Sequence, residues 1–192
     1  MDFFESAYTG TPPWDIGRPQ KEFVELVRAG EITGSVLDIG CGTGEHALFF
    51  AEEGHDVWGI DSVPLAIQKA QEKAAARGLH VNFLVMNALA LNTLNRTFDT
   101  ATDSGLFHTL SDEDRPVFVN TLAAALVPGG KYFMLCFSDL EPAGYGPRRI
   151  TTREIQDSFR DGWSINYIRP ATFESHTRVE GPRAWLSSIT KG

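Results

Sequence analysis

Val36-Leu37-Asp38-Ile39-Gly40-Cys41-Gly42-Thr43-Gly44 decides the fold of this 192-residue chain. The run begins as a short buried strand, 35–39, and turns at once into glycines, which let the backbone bend tightly and let a ligand come close. A helix is expected over 45–53, and its first turn presents unpaired N–H groups and the positive end of its dipole. The spacing Gly40-x-Gly42-x-Gly44 differs from the G-x-G-x-x-G of dinucleotide sites. Glu45 stands where the third dinucleotide glycine belongs, and its carboxylate would repel a pyrophosphate. A ligand without phosphate tolerates it.

Outward from this run, short β-branched stretches alternate with helical ones, which indicates βαβ units on a mostly parallel sheet. Further strands are expected at 55–60, 81–85, 98–102 and 131–137, the last apolar nearly throughout, as a central parallel strand is. Helices are expected at 19–30, at 63–77 before Gly78, and at 111–127 before Pro128-Gly129-Gly130. Asp112, Glu113 and Asp114 suit the first turn of the last of these. Beyond a Gly- and Pro-rich loop, 138–150, Thr151 and Glu154 form a capping box for a helix over 152–159. Extended segments at 164–169 and 183–190 read as an antiparallel pair closing the sheet.

Asp61 ends the second strand about 20 residues beyond Gly40, where a carboxylate accepts bonds from ribose hydroxyls. The alternative is a cap for the helix that begins near Val63.

VLDIGCGTG resembles the first motif of the class I S-adenosylmethionine-dependent methyltransferases: Asp38 and the three glycines match their acidic-x-Gly-x-Gly-x-Gly pattern. The resemblance extends through Asp61, FLVMNA and Leu126-Val127-Pro128-Gly129-Gly130, over residues 34–140. It implies a Rossmann-like, doubly wound, mostly parallel seven-stranded sheet with the last strand antiparallel. It implies S-adenosyl-L-methionine as cofactor, S-adenosyl-L-homocysteine as product, and no metal. Asp38, Gly40, Cys41, Gly42 and Gly44 would then lie at the methionine portion, and Asp61 with Ser62 at the ribose. The family often places Asp after the third strand to receive the adenine amino group. Here Asn87 precedes Ala88, and an amide carbonyl accepts the same bond; a turn residue is the alternative. Asp103 and Ser104 end the fourth strand, near the transferring methyl in the family, and spacing does not say which faces the cofactor.

The segment from Thr9 to Gln20, with Pro12-Pro13-Trp14-Asp15-Ile16-Gly17-Arg18-Pro19, is similar to the lid of the thiol, halide and thiopurine methyltransferases and of bacterial relatives acting on small heterocycles or quinones. That implies a cover over cofactor and acceptor, with Trp14 as an apolar wall and Arg18 on the acceptor side. Alternatively, Trp14 plugs the helix layer while Asp15 and Arg18 pair on the surface. Transfer by in-line displacement needs alignment above all. An anion needs no base, whereas a phenol or ring N–H gains about 10²–10⁴-fold from one. His108, after the fourth strand, is the candidate base, with a histidine merely bonded to backbone as the alternative. His46 is either a second candidate base or a residue packed beside the cofactor, and Tyr145 either lines the acceptor pocket or sits in a surface loop. Arg148 and Arg149 are either acceptor-binding or solvated loop charges.

The formal charge is −8, from 25 acidic and 17 basic residues, which opposes binding to phosphate backbones. The expected partner is a small-molecule acceptor (a thiol, halide, heterocycle or quinol/phenol), with no nucleic acid and no membrane. The place after the fourth strand reads Asp103-Ser104-Gly105-Leu106, not the Asn/Asp-Pro-Pro-Tyr/Phe of amino-methylating nucleic-acid enzymes. No apolar run approaches the ~20 residues of a span, and the first residues lack a signal-peptide pattern, so a cytoplasmic monomer or homodimer is expected. Cys41 and Cys136 have no zinc-site spacing and read as reduced thiols. One methyltransferase domain is expected over 1–192: an N-terminal lid, 1–18; a cofactor core, 34–140; and a substrate-side, sheet-closing part, 141–192. The competing readings are a cofactor-binding module without turnover and a nicotinamide-dependent oxidoreductase, the latter disfavoured by Glu45.

Overall fold

Residues 3–144 and 146–192 are described by a computed structural model of the chain. Val36–Ile39 (β1) is buried at every position and lies near the middle of the sheet. Val57–Asp61 (β2) and Asn82–Val85 (β3) add in parallel on one side of it. Phe98–Ser104 (β4) and Leu126–Phe137 (β5) add in parallel on the other. Trp163–Thr172 (β6) and Arg183–Lys191 (β7) enter out of sequence order: β7 lies antiparallel against β5, and β6 pairs antiparallel with β7 at the edge. The sheet order is therefore β3-β2-β1-β4-β5-β7-β6, with β7 the reversed strand, as the motif implied.

Side chains along these strands alternate between two apolar layers, because successive residues of a strand point to opposite faces. Leu37, Ile39, Tyr132 and Met134 join one layer; Val36, Phe133, Leu135 and Leu186 join the other. Both faces are covered, which is why β1 and β5 read as continuous apolar runs. The helices are Phe3–Ala7 (α1), Lys21–Arg28 (α2), Glu45–Glu52 (α3), Pro64–Arg77 (α4), Asp114–Ala125 (α5) and Thr152–Ser158 (α6). The Thr151–Glu154 capping box at α6 is present in both directions.

Several boundaries differ from the expectation. The helix expected over 111–127, α5, stops at Ala125, because Leu126 already pairs with Phe98; Pro128 and Gly129 (φ +79) bulge outward before the ladder resumes at Lys131. The helix expected over 19–30 is shortened to α2. β6 is longer than its apolar run suggested, since the pairing with β7 runs from Trp163 to Thr172, broken only by a bulge at Asn166. α1 and the 3₁₀ turns at Ala88–Leu94 and Phe107–Thr109 carry no period long enough to read. Among the described residues, no helix is long and apolar enough to cross a membrane.

The strand order reverses between β1 and β4. In open α/β sheets the ligand crevice lies outside the carboxyl ends of the strands at that point. A cavity of about 1640 Å³ occupies it.

Candidate functional site

The glycine loop leaves β1 with Gly40, Gly42 and Gly44 all at positive φ. A Cβ on Gly42 would stand 2.7 Å from the Tyr8 hydroxyl, and one on Gly44 would stand 2.9 Å from both Ala70 and Phe83. Gly40, Cys41 and Gly42 line the cavity. Gly44 does not; it begins α3 and lets that helix pack against α4 and β3.

Asp61, at the end of β2, lies on the cavity wall. The Gly42 N–H donates to its Oδ2 and the Val63 N–H to its Oδ1, each at 2.9 Å. The carboxylate thus caps the turn into α4 and pins the glycine loop, yet each oxygen keeps a lone pair for a further donor. Burial raises its pKa, and the backbone N–H groups of Val63, Gly42 and Ser62 work against that rise. Ser62 and Ala88 line the same wall. So does Asn87, whose side-chain oxygen accepts the Leu89 N–H at 2.9 Å and caps the 3₁₀ turn.

Two acidic residues expected at the cofactor are turned inward. Asp38 points into the sheet's cover, where its Oδ1 accepts the Thr102 hydroxyl at 2.9 Å and burial pushes its pKa up to about 7. Asp103 is fully buried. It accepts the Leu106 N–H at 2.6 Å, the Phe107 N–H at 2.9 Å and the Tyr132 hydroxyl at 2.8 Å, and burial lifts it to about 7. Strand alternation is the reason: Asp103 and its neighbour Ser104 face opposite ways, and Ser104 takes the cavity side. Asp103 instead builds the turn that carries His108. Glu45 lies on the cavity wall, but its carboxylate is held by Lys73 at 2.7 Å and Arg77 at 2.9 Å.

His108 also lines the cavity, packing edge-on to Phe137 (centroids 5.0 Å) and near Phe173 (6.1 Å). Its Nδ1 accepts the Phe137 N–H at 3.0 Å. Burial, with the Arg149 charge second, pushes the imidazole down to about 3, so the ring is neutral. An Nδ1 already committed as an acceptor does not suit the general base expected of His108. His46 is tied in the same way, its Nε2 accepting the Gln20 N–H at 3.0 Å, and burial lowers it to about 4.

The N-terminal segment folds over the glycine loop. Trp14 donates from Nε1 to the Tyr8 hydroxyl at 3.1 Å and packs with Phe3, Phe4 and Tyr8 above α4, while also lining the cavity. Asp15 does not pair with Arg18; its carboxylate accepts the Thr43 hydroxyl at 2.8 Å. Arg18 grips Glu174 instead, and His176 donates from its backbone to Pro13 O at 3.0 Å and from Nε2 to Asp15 O at 2.7 Å. Arg148 is paired with Asp112 and Glu154. Tyr145 lies outside the described residues. Sequence reasoning missed Tyr8, Phe137 and Phe173. The rule that ligands bind at carboxyl ends of strands points to Phe137, at the end of β5; nothing local marks Phe173.

A family model described as a methyltransferase domain matches residues 36–130. The chain is 37% identical over 182 residues to the 2-heptyl-1-hydroxyquinolin-4(1H)-one methyltransferase of Mycobacteroides abscessus, covering 89% of this chain and 80% of that relative. It is 27% identical over 188 residues to probable thiol methyltransferase 2 of Arabidopsis thaliana, covering 94% and 79%. A structure solved in work on the conversion of a disulfide bond into a thioacetal group during echinomycin biosynthesis superimposes with a TM-score of 0.89 at 36% identity, covering 98% of this chain and 91% of that one. With the sheet order and the glycine loop, these similarities establish that the chain belongs to the class I S-adenosylmethionine-dependent methyltransferases.

Proposed function

We propose that this protein methylates a small, flat heteroaromatic acceptor at a hydroxyl oxygen or a thiol sulfur. The observation that carries this reading is the continuity of one cavity, from the glycine loop and Asp61 to an aromatic wall of Phe137, Phe173 and His108. Its volume, about 1640 Å³, exceeds the ~300–1,000 Å³ of a single-ligand site and leaves room for cofactor and acceptor together. The similarity to a hydroxyquinolinone methyltransferase over most of the chain supports a heteroaromatic hydroxyl, and the similarity to a thiol methyltransferase supports sulfur.

The residues fit S-adenosylmethionine. The spare lone pairs of Asp61 suit a ribose diol. The loop from Gly40 to Gly42 offers bare backbone to the amino-acid portion, and Asn87 and Ala88 border the place for adenine. When bound, the cofactor supplies a sulfonium-activated methyl carbon. The chain's part is alignment and exclusion of water, and positioning of this kind is worth about 7–11 kcal/mol. Trp14 and the segment over the glycine loop act as the cover.

Calorimetric titration with S-adenosylhomocysteine, with NAD as control, tests the cofactor. Micromolar binding of the first alone is expected, and binding of NAD instead would overturn the reading. Methyl uptake by hydroxyquinolinones and aryl thiols, against aliphatic alcohols, then tests the acceptor.

A further inference from the structure

His108 and Arg149 share one support. The His108 ring stands edge-on to Phe137, and the Arg149 guanidinium lies over the same Phe137 ring, 5.6 Å from its centroid. Both residues line the cavity. Arg149 donates to Pro147 O at 2.5 Å and Pro142 O at 2.8 Å, its buried Nε has no partner, and no described carboxylate lies within ion-pair distance of it. The nearby Glu141 is held by Arg178 and by the Arg183 N–H.

The His108 hydrogen bond fixes its tautomer. Nδ1 accepts from the Phe137 N–H, so the single proton of the neutral ring sits on Nε2. No described residue accepts from Nε2. The groups facing the ring are Phe137 from β5, Phe173 from the segment after β6, and the Arg149 charge, which opposes a second proton. The other bases on the wall are engaged: Asp15 by Thr43, Glu45 by Lys73 and Arg77, Asp61 by two backbone N–H groups, Glu141 by Arg178 and the Arg183 N–H, and His46 Nε2 by Gln20.

We propose that His108 and Arg149 form an anion-receiving edge, at which His108 donates from Nε2 to an acceptor heteroatom that arrives already deprotonated. This rests on the methyl-transfer reading and narrows it to acidic acceptors such as aryl thiols, N-hydroxy heteroaromatics and acidic phenols. The proton leaves to solvent before transfer. The acceptor anion then forms its bond to the methyl carbon with its own electron pair, and the carbon–sulfur pair remains on sulfur.

The test uses the full chain loaded with S-adenosylhomocysteine and three chromogenic acids: 4-nitrophenol, 4-nitrothiophenol and 1-hydroxyquinolin-4(1H)-one. Absorbance titration reads the ionisation of the bound probe. At least one probe is expected to bind and to become roughly tenfold or more stronger as an acid, the effect of a nearby opposite charge. Arg149→Met should remove most of that gain. Two variants separate donor from base. His108→Asn keeps an acceptor for the Phe137 N–H but loses the Nε2 donor; His108→Gln keeps a donor at the Nε2 position and is no base. The Asn variant should lower kcat/KM about 10- to 100-fold, the worth of one hydrogen bond to a charged group, and the Gln variant should recover most of it. Binding of S-adenosylhomocysteine but of none of the probes, no gain in probe acidity, or a Gln variant as impaired as Asn would each overturn the proposal. Failure of S-adenosylhomocysteine to bind would instead sink the methyl-transfer reading.

Discussion

Arg18 and Glu174 stand 156 positions apart in the chain and meet in a two-pronged ion pair, Nη1 to Oε2 at 2.9 Å and Nη2 to Oε1 at 2.8 Å. Glu174 Oε2 also accepts the Lys21 N–H at 2.8 Å, and Gln20 exchanges two hydrogen bonds with the Glu174 backbone. The segment before α2 is thereby buckled to the segment after β6, and Arg18, Gln20, Phe173 and Ser175 from the two segments line the cavity.

Arg18→Ala should therefore loosen the cover more than the fold. The Arg18 side chain is 56% exposed, so the loss of stability is held to about 1 kcal/mol or less. Turnover should fall roughly tenfold or more, because misaligned reactants lose rate steeply. Urea unfolding alongside steady-state kinetics checks both. Full activity would show that the buckle has no part in transfer.

Asp61→Ala should weaken S-adenosylhomocysteine binding at least about tenfold, or ~1.4 kcal/mol. Calorimetry at a temperature where circular dichroism shows the variant folded separates this from the lost cap at Val63. An unchanged dissociation constant would leave Asp61 as a cap alone.

Gly42→Ala should destabilise the protein by about 1–3 kcal/mol. The residue sits at φ +54, and the added Cβ would press on the Tyr8 hydroxyl at 2.7 Å. Adding Tyr8→Phe should return part of that loss by removing the contact while leaving the backbone cost. A double-mutant cycle in thermal unfolding measures the coupling, and strict additivity would contradict the contact.

Glu154 carries a pH dependence. Burial raises its pKa, but bonds from the Thr151 backbone and hydroxyl, and then from Arg115 and Arg148, outweigh that and hold it at about 2. A carboxylate depressed on folding stabilises above its unfolded pKa of about 4.3 and loses that contribution as pH falls toward 2. Glu154→Gln should thus cost about 1.5–3 kcal/mol at neutral pH, and less in acid. Urea unfolding of both proteins at several pH values reads the difference. A gap that stays constant in acid would place the effect elsewhere.

The strand, glycine loop, helix and following carboxylate were legible because they are local: a buried run, three glycines and Asp61 follow one another within two strands. The inward turn of Asp103 was not. Its partners Leu106, Phe107 and Tyr132 depend on which face of β4 it occupies, and a one-residue offset reverses that. The proton position on His108 was unreadable for a related reason, since it is set by the Phe137 N–H, 29 positions away at the end of β5. The cover was half legible. Its aromatic and proline content stood out, while Glu174 and His176, which fasten it, sit in a stretch with no period.

The insertion of β7 between β5 and β6 gives folding an order on the ribosome. β6 leaves the tunnel before its sheet neighbour β7 exists, so Trp163–Thr172 must wait for Arg183–Lys191. Until then the β5 edge from Lys131 to Phe137 is also open, with Phe133 and Leu135 uncovered on one side. An apolar strand edge left open during synthesis is where a nascent chain is most prone to aggregate. The interval between emergence of β5 and arrival of β7 is the stretch of synthesis in which a chaperone would matter most to the yield of this protein.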